Sequence, residues 1–292
     1  AHVCGSVLRS VMAFGGEGLP VSGITPLWLK AYEGYLLHKG GKGLAWNTVS
    51  TYMRMLQAVY NRAVVRKLAA FIPHQFRDVF TGRKADHRRV LERDDMQKLL
   101  VEREPDITSP GMAWARACLE LMFRFHGMPF VDLAHLRKSD LKDGYLTLRR
   151  RKTGMPLSAR VDGRAMQLLE RYRNRDDTSP YLLCFLDGNL EGMAAYRDYQ
   201  RILRLLNSRL RALALWKKVQ GKVTSYSARH TWATVGRYCH IPIEVISEGL
   251  GHASVTTTEG YMKGFGNSRM DRANKVIMNY IFKGLSNAVD KW

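Results

Sequence analysis

Residues 81 to 91, TGRKADHRRVL, constrain this chain more than any other stretch. A run this rich in charge and this poor in large apolar side chains cannot cross a packed interior, because an unpaired buried charge is too costly. It therefore divides the 292 residues into two parts, each long enough to build its own core. The boundaries that follow are 1–80 for a first domain, 81–91 for a basic linker and 92–292 for a second domain that includes a C-terminal helix. Within the linker, Arg83, Lys84, Arg88 and Arg89 fit a solvated tether and a strap along a polyanion equally well.

Both parts read as mainly helical. In the first, Pro26 opens a helix that stops at Gly40 and Gly41, as proline and glycine do at helix ends. The next run repeats apolar side chains at Val49, Tyr52, Met53, Leu56, Val59, Tyr60, Ala63 and Val64, the helical period, with Asn47 as its predicted N-cap. Arg54, Arg62 and Arg66 fall off that face, and a further helix is expected around Val7 to Phe14. In the second part, helices are predicted over 93–102 and 110–126, then a β-hairpin YLTLRRR, KTG, MPLSARV. A helix capped by Asp162, another over 196–216 and a last one capped by Ser268 complete the expectation. The fold class is mainly α with a small β-hairpin or sheet.

Lys and Arg outnumber Asp and Glu by 46 to 26, a formal charge of +20. Residues 1–90 hold 13 basic and 4 acidic side chains, and the remainder 33 and 22, so the shorter part is the more densely positive. Nucleic acid is the first partner this suggests; a solvated basic surface is the alternative. Cys4, Cys118, Cys184 and Cys239 show no metal-ligand spacing, and the last three lie in apolar stretches, where reduced core cysteines are expected. Apolar runs such as ALALW at 212–216 fall short of the roughly 20 residues a membrane span needs. With no secretion signal visible, the expectation is a soluble, cytoplasmic, nucleoid-associated protein.

The stretch VTSYSARHTWAT, 223 to 234, places Arg229 and His230 in an otherwise buried helical pattern without a nearby carboxylate. A buried cation needs a counter-charge, so either the charge sits at a surface turn or an anionic partner comes from elsewhere. Downstream, 246 to 265 reads ISEGLGHASVTTTEGYMKGF. Together these stretches resemble the tyrosine recombinase (phage-type integrase) family. Arg229, His230 and Thr231 match its H-x-x-R-H-T box, and Leu250, Gly251, His252, Ser254 and Thr257 match L-G-H-x-S-x-x-T-T, with Tyr261 nine residues after the histidine.

The resemblance implies an N-terminal helical, SAM-like core-binding domain and a C-terminal mixed α/β catalytic domain that close as a C-shaped clamp on double-stranded DNA. It implies strand cleavage and rejoining through a 3′-phosphotyrosyl intermediate, without metal, ATP or another cofactor. Tyr261 is then the nucleophile; only about one phenol in a thousand is ionised at neutral pH, so His252 is the candidate base. Arg229 would neutralise the phosphorane with its planar fork. Lys152, in the hairpin turn, would protonate the departing 5′-oxygen. Arg149, Arg150 and Arg151 would grip the DNA backbone, as would Arg54, Arg62, Arg66 and the linker cations. Tyr226 stands where the family has His or Lys and can still donate a hydrogen bond, while His230 reads as structural. A homotetramer on paired DNA sites, monomeric when free, is also implied.

One departure stands out. The family's G-[LM]-R-x-x-[ED] pattern meets GMPFVDL here, so Pro129 occupies the first arginine's place and Asp132 the acid's. A mobile-element subgroup carries an arginine just before the glycine; this chain has His126 there and Arg124 two residues earlier. The expectation is that His126, with Arg124 as the second candidate, partly replaces the lost arginine. The alternative is that His126 ends its helix as a cation favoured by the dipole. Two other functions remain open on the sequence: a DNA-binding protein that kept the fold and lost cleavage, and a type IB topoisomerase, against which the compact length and the two boxes argue.

Overall fold

The computed structural model describes residues 2–82, 91–101, 109–251 and 267–282. Of the candidate site residues, Arg83, Lys84, Arg88, Arg89, His252 and Tyr261 lie outside the described residues. The chain divides into two units, Ala1–Asp86 and His87–Trp292.

The first unit is helical: α1 (His2–Gly15), α2 (Pro26–His38) and α3 (Trp46–Val65). Thr25 caps α2, its hydroxyl accepting from the Trp28 amide at 3.1 Å, and Pro26 takes the first helical position, where its missing N–H costs nothing. The predicted cap of α3 is displaced: Ala45 is the N-cap and Asn47 sits inside the first turn. Leu29, Tyr32 and Leu36 of α2 meet Val49, Met53, Leu56 and Tyr60 of α3 in one core. Val59, placed on the apolar face by the periodicity, is 52 % exposed, because Leu56 and Tyr60 already fill the stripe. Arg54, Arg62 and Arg66 are exposed along the opposite side of α3.

The second unit contains α4 (Arg93–Leu100), α5 (Pro110–Arg124), α6 (Phe130–Ala134), β1 (Leu141–Lys142), β2 (Tyr145–Arg149), β3 (Pro156–Arg160), α7 (Gly163–Arg171), α8 (Gly192–Trp216), α9 (Ser227–Tyr238), α10 (Ile243–Leu250) and α11 (Asn267–Phe282). At its centre lies α5, buried on every side from Ala115 to Phe123, which fits a helix with little polar patterning there. The sheet is antiparallel in the order β1-β2-β3; the two-residue β1 was too short to read from periodicity. Register pairs Leu146 with Ala159 and Leu148 with Leu157, placing these four on the inward face. Asp162 caps α7 as expected, accepting from the Ala165 amide at 2.7 Å. Cys118 and Cys239 are buried, but Cys184 is exposed, a correction to its predicted core position: apolar neighbours Leu183 and Phe185 are buried while its own side chain turns outward.

The last helix, α11, packs on its own unit. Ala273, Ile277 and Ile281 are fully buried, and Asn274 accepts from the Trp232 indole at 3.1 Å while donating to the Arg124 carbonyl at 2.7 Å. It begins at Asn267, so Ser268 lies within the helix and does not cap it. Among the described residues, no helix is long and apolar enough to cross a membrane.

Candidate active site

Where α5 ends, the backbone turns sharply through two left-handed residues, His126 (φ 57°) and Gly127 (φ 65°). A Cβ on Gly127 would lie 2.9 Å from the Arg229 Cα, so this position serves the close approach of α9 as well as the turn. Arg229 answers from the first turns of α9: its Nη1 donates to the Gly127 carbonyl at 3.2 Å and its Nη2 to the Leu250 carbonyl at 2.6 Å. Burial pulls its pKa below the ordinary arginine value, while Tyr226 and Asp132 favour the charged form. Tyr226, 45 % exposed, thus lies close enough to be felt by the guanidinium, and its ring is 6.1 Å from that of His230.

Thr231 faces the other way. It is fully buried, and its hydroxyl accepts from the Leu91 amide at 3.0 Å. The box that carries Arg229 therefore also fastens the chain where it enters the second unit, a role its spacing did not signal.

The hairpin reaches the same place. Its loop closes with the Arg150 amide donating to Met155 and the Gly154 amide to Arg150, and Gly154 takes φ +71°. Asp132, 2 % exposed on α6, accepts from the Arg151 amide at 2.9 Å, and Thr153 donates to the Gly251 carbonyl at 3.4 Å. Lys152, between those two anchored residues, is exposed. The fold thus brings Arg229, Asp132 and the turn that carries Lys152 around the C-terminal end of α10. Arg149 and Arg151 are exposed beside it.

Three expectations need correction. Arg150, grouped with its neighbours as a surface grip on DNA, is only 3 % exposed: the strand alternation that turns Leu146 and Leu148 inward turns residue 150 inward too. Its Nη2 donates to the Gly249 carbonyl at 2.9 Å, and Nη1 lies 3.8 Å from Asp132. Arg124 is not directed at a phosphate either. It pairs with Glu120 at 2.9 Å and Asp162 at 2.5 Å, and lies over the Phe282 ring, so its charge is already met by two carboxylates. His126, finally, is fully buried, its ring 5.7 Å from Trp232. Burial first, and the neighbouring Arg150 charge second, lower its pKa to about 4. At neutral pH it is uncharged, which excludes both a substitute for arginine and a cation at the helix dipole.

The carbonyls of Gly249 and Leu250 belong to the last turn of α10, where helix acceptors lack partners and the dipole attracts cations. Two arginine side chains satisfy them. Beyond them Gly251 takes φ +60°, and any Cβ there would collide with the Arg150 side chain. The L-G-H glycine is thereby explained twice over, by backbone conformation and by space.

Residues 89–266 match the phage integrase family, and residues 1–77 match the phage integrase SAM-like domain. The chain is 29 % identical over 140 residues to tyrosine recombinase XerA of Pyrococcus furiosus; that stretch covers 47 % of this chain and 46 % of the archaeal protein, about half its length. It is 27 % identical over 180 residues to the putative integrase/recombinase y4gC of Sinorhizobium fredii, covering 60 % and 88 %. In fold it is similar to a lambda integrase solved as a dimer bound to a COC′ core site, with a TM-score of 0.61 at 18 % identity over 89 % of this chain and 87 % of that one.

Proposed function

Because the chain belongs to the phage integrase family, we propose that it is a site-specific DNA recombinase working through a 3′-phosphotyrosyl intermediate. The observation that carries this reading is Arg229, half-buried and held by two backbone carbonyls, beside a docked turn that presents Lys152. A fixed guanidinium is what a phosphorane requires, since preorganised donors cost no reorganisation when the extra charge develops.

In the proposed step the Tyr261 oxygen attacks the scissile phosphorus and its proton passes to His252. The bond from phosphorus to O5′ breaks as Lys152 gives that oxygen a proton. The 5′-hydroxyl of the exchanging strand later attacks the phosphotyrosyl linkage, so the phosphodiester count is conserved and neither metal nor ATP is called upon. Tyr226 adds a hydrogen-bond donor next to Arg229. The first domain and the basic linker contact the backbone of double-stranded DNA through Arg54, Arg62, Arg66, Arg83, Lys84, Arg88 and Arg89. Four copies on paired sites inside the cell complete the proposal.

The test is a nicked duplex that loses the short fragment after cleavage and so traps the covalent adduct. Wild-type protein is expected to give a detergent-stable DNA adduct and Tyr261→Phe none. Specific DNA binding with no adduct from the wild type would instead support the second reading, a binding protein that lost cleavage, which Pro129 favours.

A further inference from the structure

We infer that the first unit carries a nucleotide site of its own, a cleft between α3 and residues 71–77 that takes an adenine base, presented either by an unpaired DNA strand or by a free nucleotide. The site lies wholly within the first unit and does not depend on the cleavage chemistry.

The cleft exists because of Tyr60. Its hydroxyl donates to the Ala70 carbonyl at 2.6 Å and accepts from the Ile72 amide at 2.9 Å, so the chain that leaves α3 is folded back along that helix. A left-handed residue, His74 (φ 56°), then turns it, and the Arg77 amide closes on the His74 carbonyl at 2.9 Å. The turn sends Gln75 and Phe76 inward and leaves Arg77 exposed. Between segment and helix remains a cavity of 360 Å³, at the low end of the roughly 300–1,000 Å³ of small-ligand sites.

Three features of its lining select the ligand. Gln75 is only 4 % exposed, and its Nε2 donates to the Ile24 carbonyl; this fixes the amide, since the reverse orientation would set oxygen against oxygen. Among the described residues its Oε1 has no hydrogen-bond partner, an uncommon state for a buried acceptor, and one that calls for a donor. Gln57 and Asn61, one helical turn apart on α3, line the same cavity. Carboxamides are the groups that pair through two bonds with the amino group and ring nitrogen of adenine. At the mouth, Phe71 is 71 % exposed, a flat apolar surface on which a base can stack, and Arg77 can meet a phosphate attached to it. An apolar ligand would leave the amides unpaired, and a carboxylate would add an acceptor where a donor is wanted. A planar ring with an exocyclic amino group answers all three.

The test titrates the full chain with adenosine monophosphate and with inosine monophosphate, which replaces the amino group by an oxygen. In parallel it titrates a duplex carrying one unpaired adenine and the same duplex with an unpaired hypoxanthine, so that general backbone binding cancels. Adenine is expected to bind about tenfold or more tightly than hypoxanthine. A preference among the free nucleotides identifies a free nucleotide as the source, and a preference in the duplexes alone identifies an unpaired strand. Phe71→Ala and Asn61→Ala, at exposed positions, should keep the melting temperature and each weaken adenine binding by about tenfold or more. Equal affinity for the two bases in both formats, or a preference that survives both substitutions, would overturn the assignment. So would self-association that Phe71→Ala abolishes without any adenine preference, which would give the patch to a second copy of the chain. The Tyr261 adduct is scored separately: adenine binding without an adduct counts against the recombinase reading alone, and an adduct without adenine preference counts against this site alone.

Discussion

A histidine at the end of a helix is ordinarily half-way to being a cation, and His126 is kept from it by its surroundings. Unfolded, it titrates near 6.5; folded, burial and Arg150 bring it to about 4. Between those values the unfolded chain binds a proton that the folded chain refuses. The stability attached to neutral His126 is thus complete above about pH 6.5 and drains away as pH falls toward about 4. From pH 7 to pH 5 the loss should be about 2 kcal/mol. Urea unfolding of wild type and His126→Asn at the two pH values measures it, asparagine being tolerant of the left-handed backbone there. A pH-dependent loss of the same size in both proteins would show that another group is responsible. The same burial argues against introducing arginine at 126, where a second cation would be sealed in beside Arg150.

At the level of elements, helix ends organise this protein. The last carbonyls of α4 accept from Arg116, whose Nε and Nη2 reach Leu99 and Leu100 at 3.0 and 2.8 Å; those of α10 accept from Arg150 and Arg229. The device is the same, and among the described residues two arginines meet in this way only at α10. The last carbonyls of α11 are met by side chains too, Tyr280 and Ile281 accepting from Arg93 and Gln97 at 3.2 and 2.7 Å, and the amide of Asn274 adds a bridge between the Trp232 indole and the end of α5. Removing that amide leaves a donor on fully buried Trp232 and the Arg124 carbonyl without their partner. Asn274→Ala is expected to cost about 1–3 kcal/mol, read from denaturant midpoints with an unchanged slope. A loss under about 0.5 kcal/mol would mean that water or a neighbour satisfies both groups and that this bridge does not secure α11.

For the molecule as a whole, a formal charge of +20 makes electrolyte the most informative variable. Each phosphate neutralised should contribute about −0.9 to the slope of log affinity against log salt. Arg54, Arg62 and Arg66 are exposed and take no part in the α3 core, so replacing all three with alanine should leave the melting temperature unchanged. It should flatten the slope by up to about 3 units, measured by fluorescence anisotropy on a duplex across a salt series. An unaltered slope would remove this face of α3 from the DNA interface.

The helical content, the Pro26 and Asp162 helix starts and the box around Arg229 were legible in the sequence, because each depends on local periodicity, capping or spacing. The inward turn of Arg150 was within reach as well: the alternation Leu146, Leu148, Arg150 carries it, masked by three consecutive arginines that read as one solvated run. The displaced cap at Ala45, the two-residue β1 and the outward Cys184 were decided by tertiary packing. So were the charge states around the site. Whether His126 is a cation, whether Arg124 is free and whether Arg150 has a counter-charge depend on residues far away in sequence, and the energy of a charge is set by what surrounds it in space.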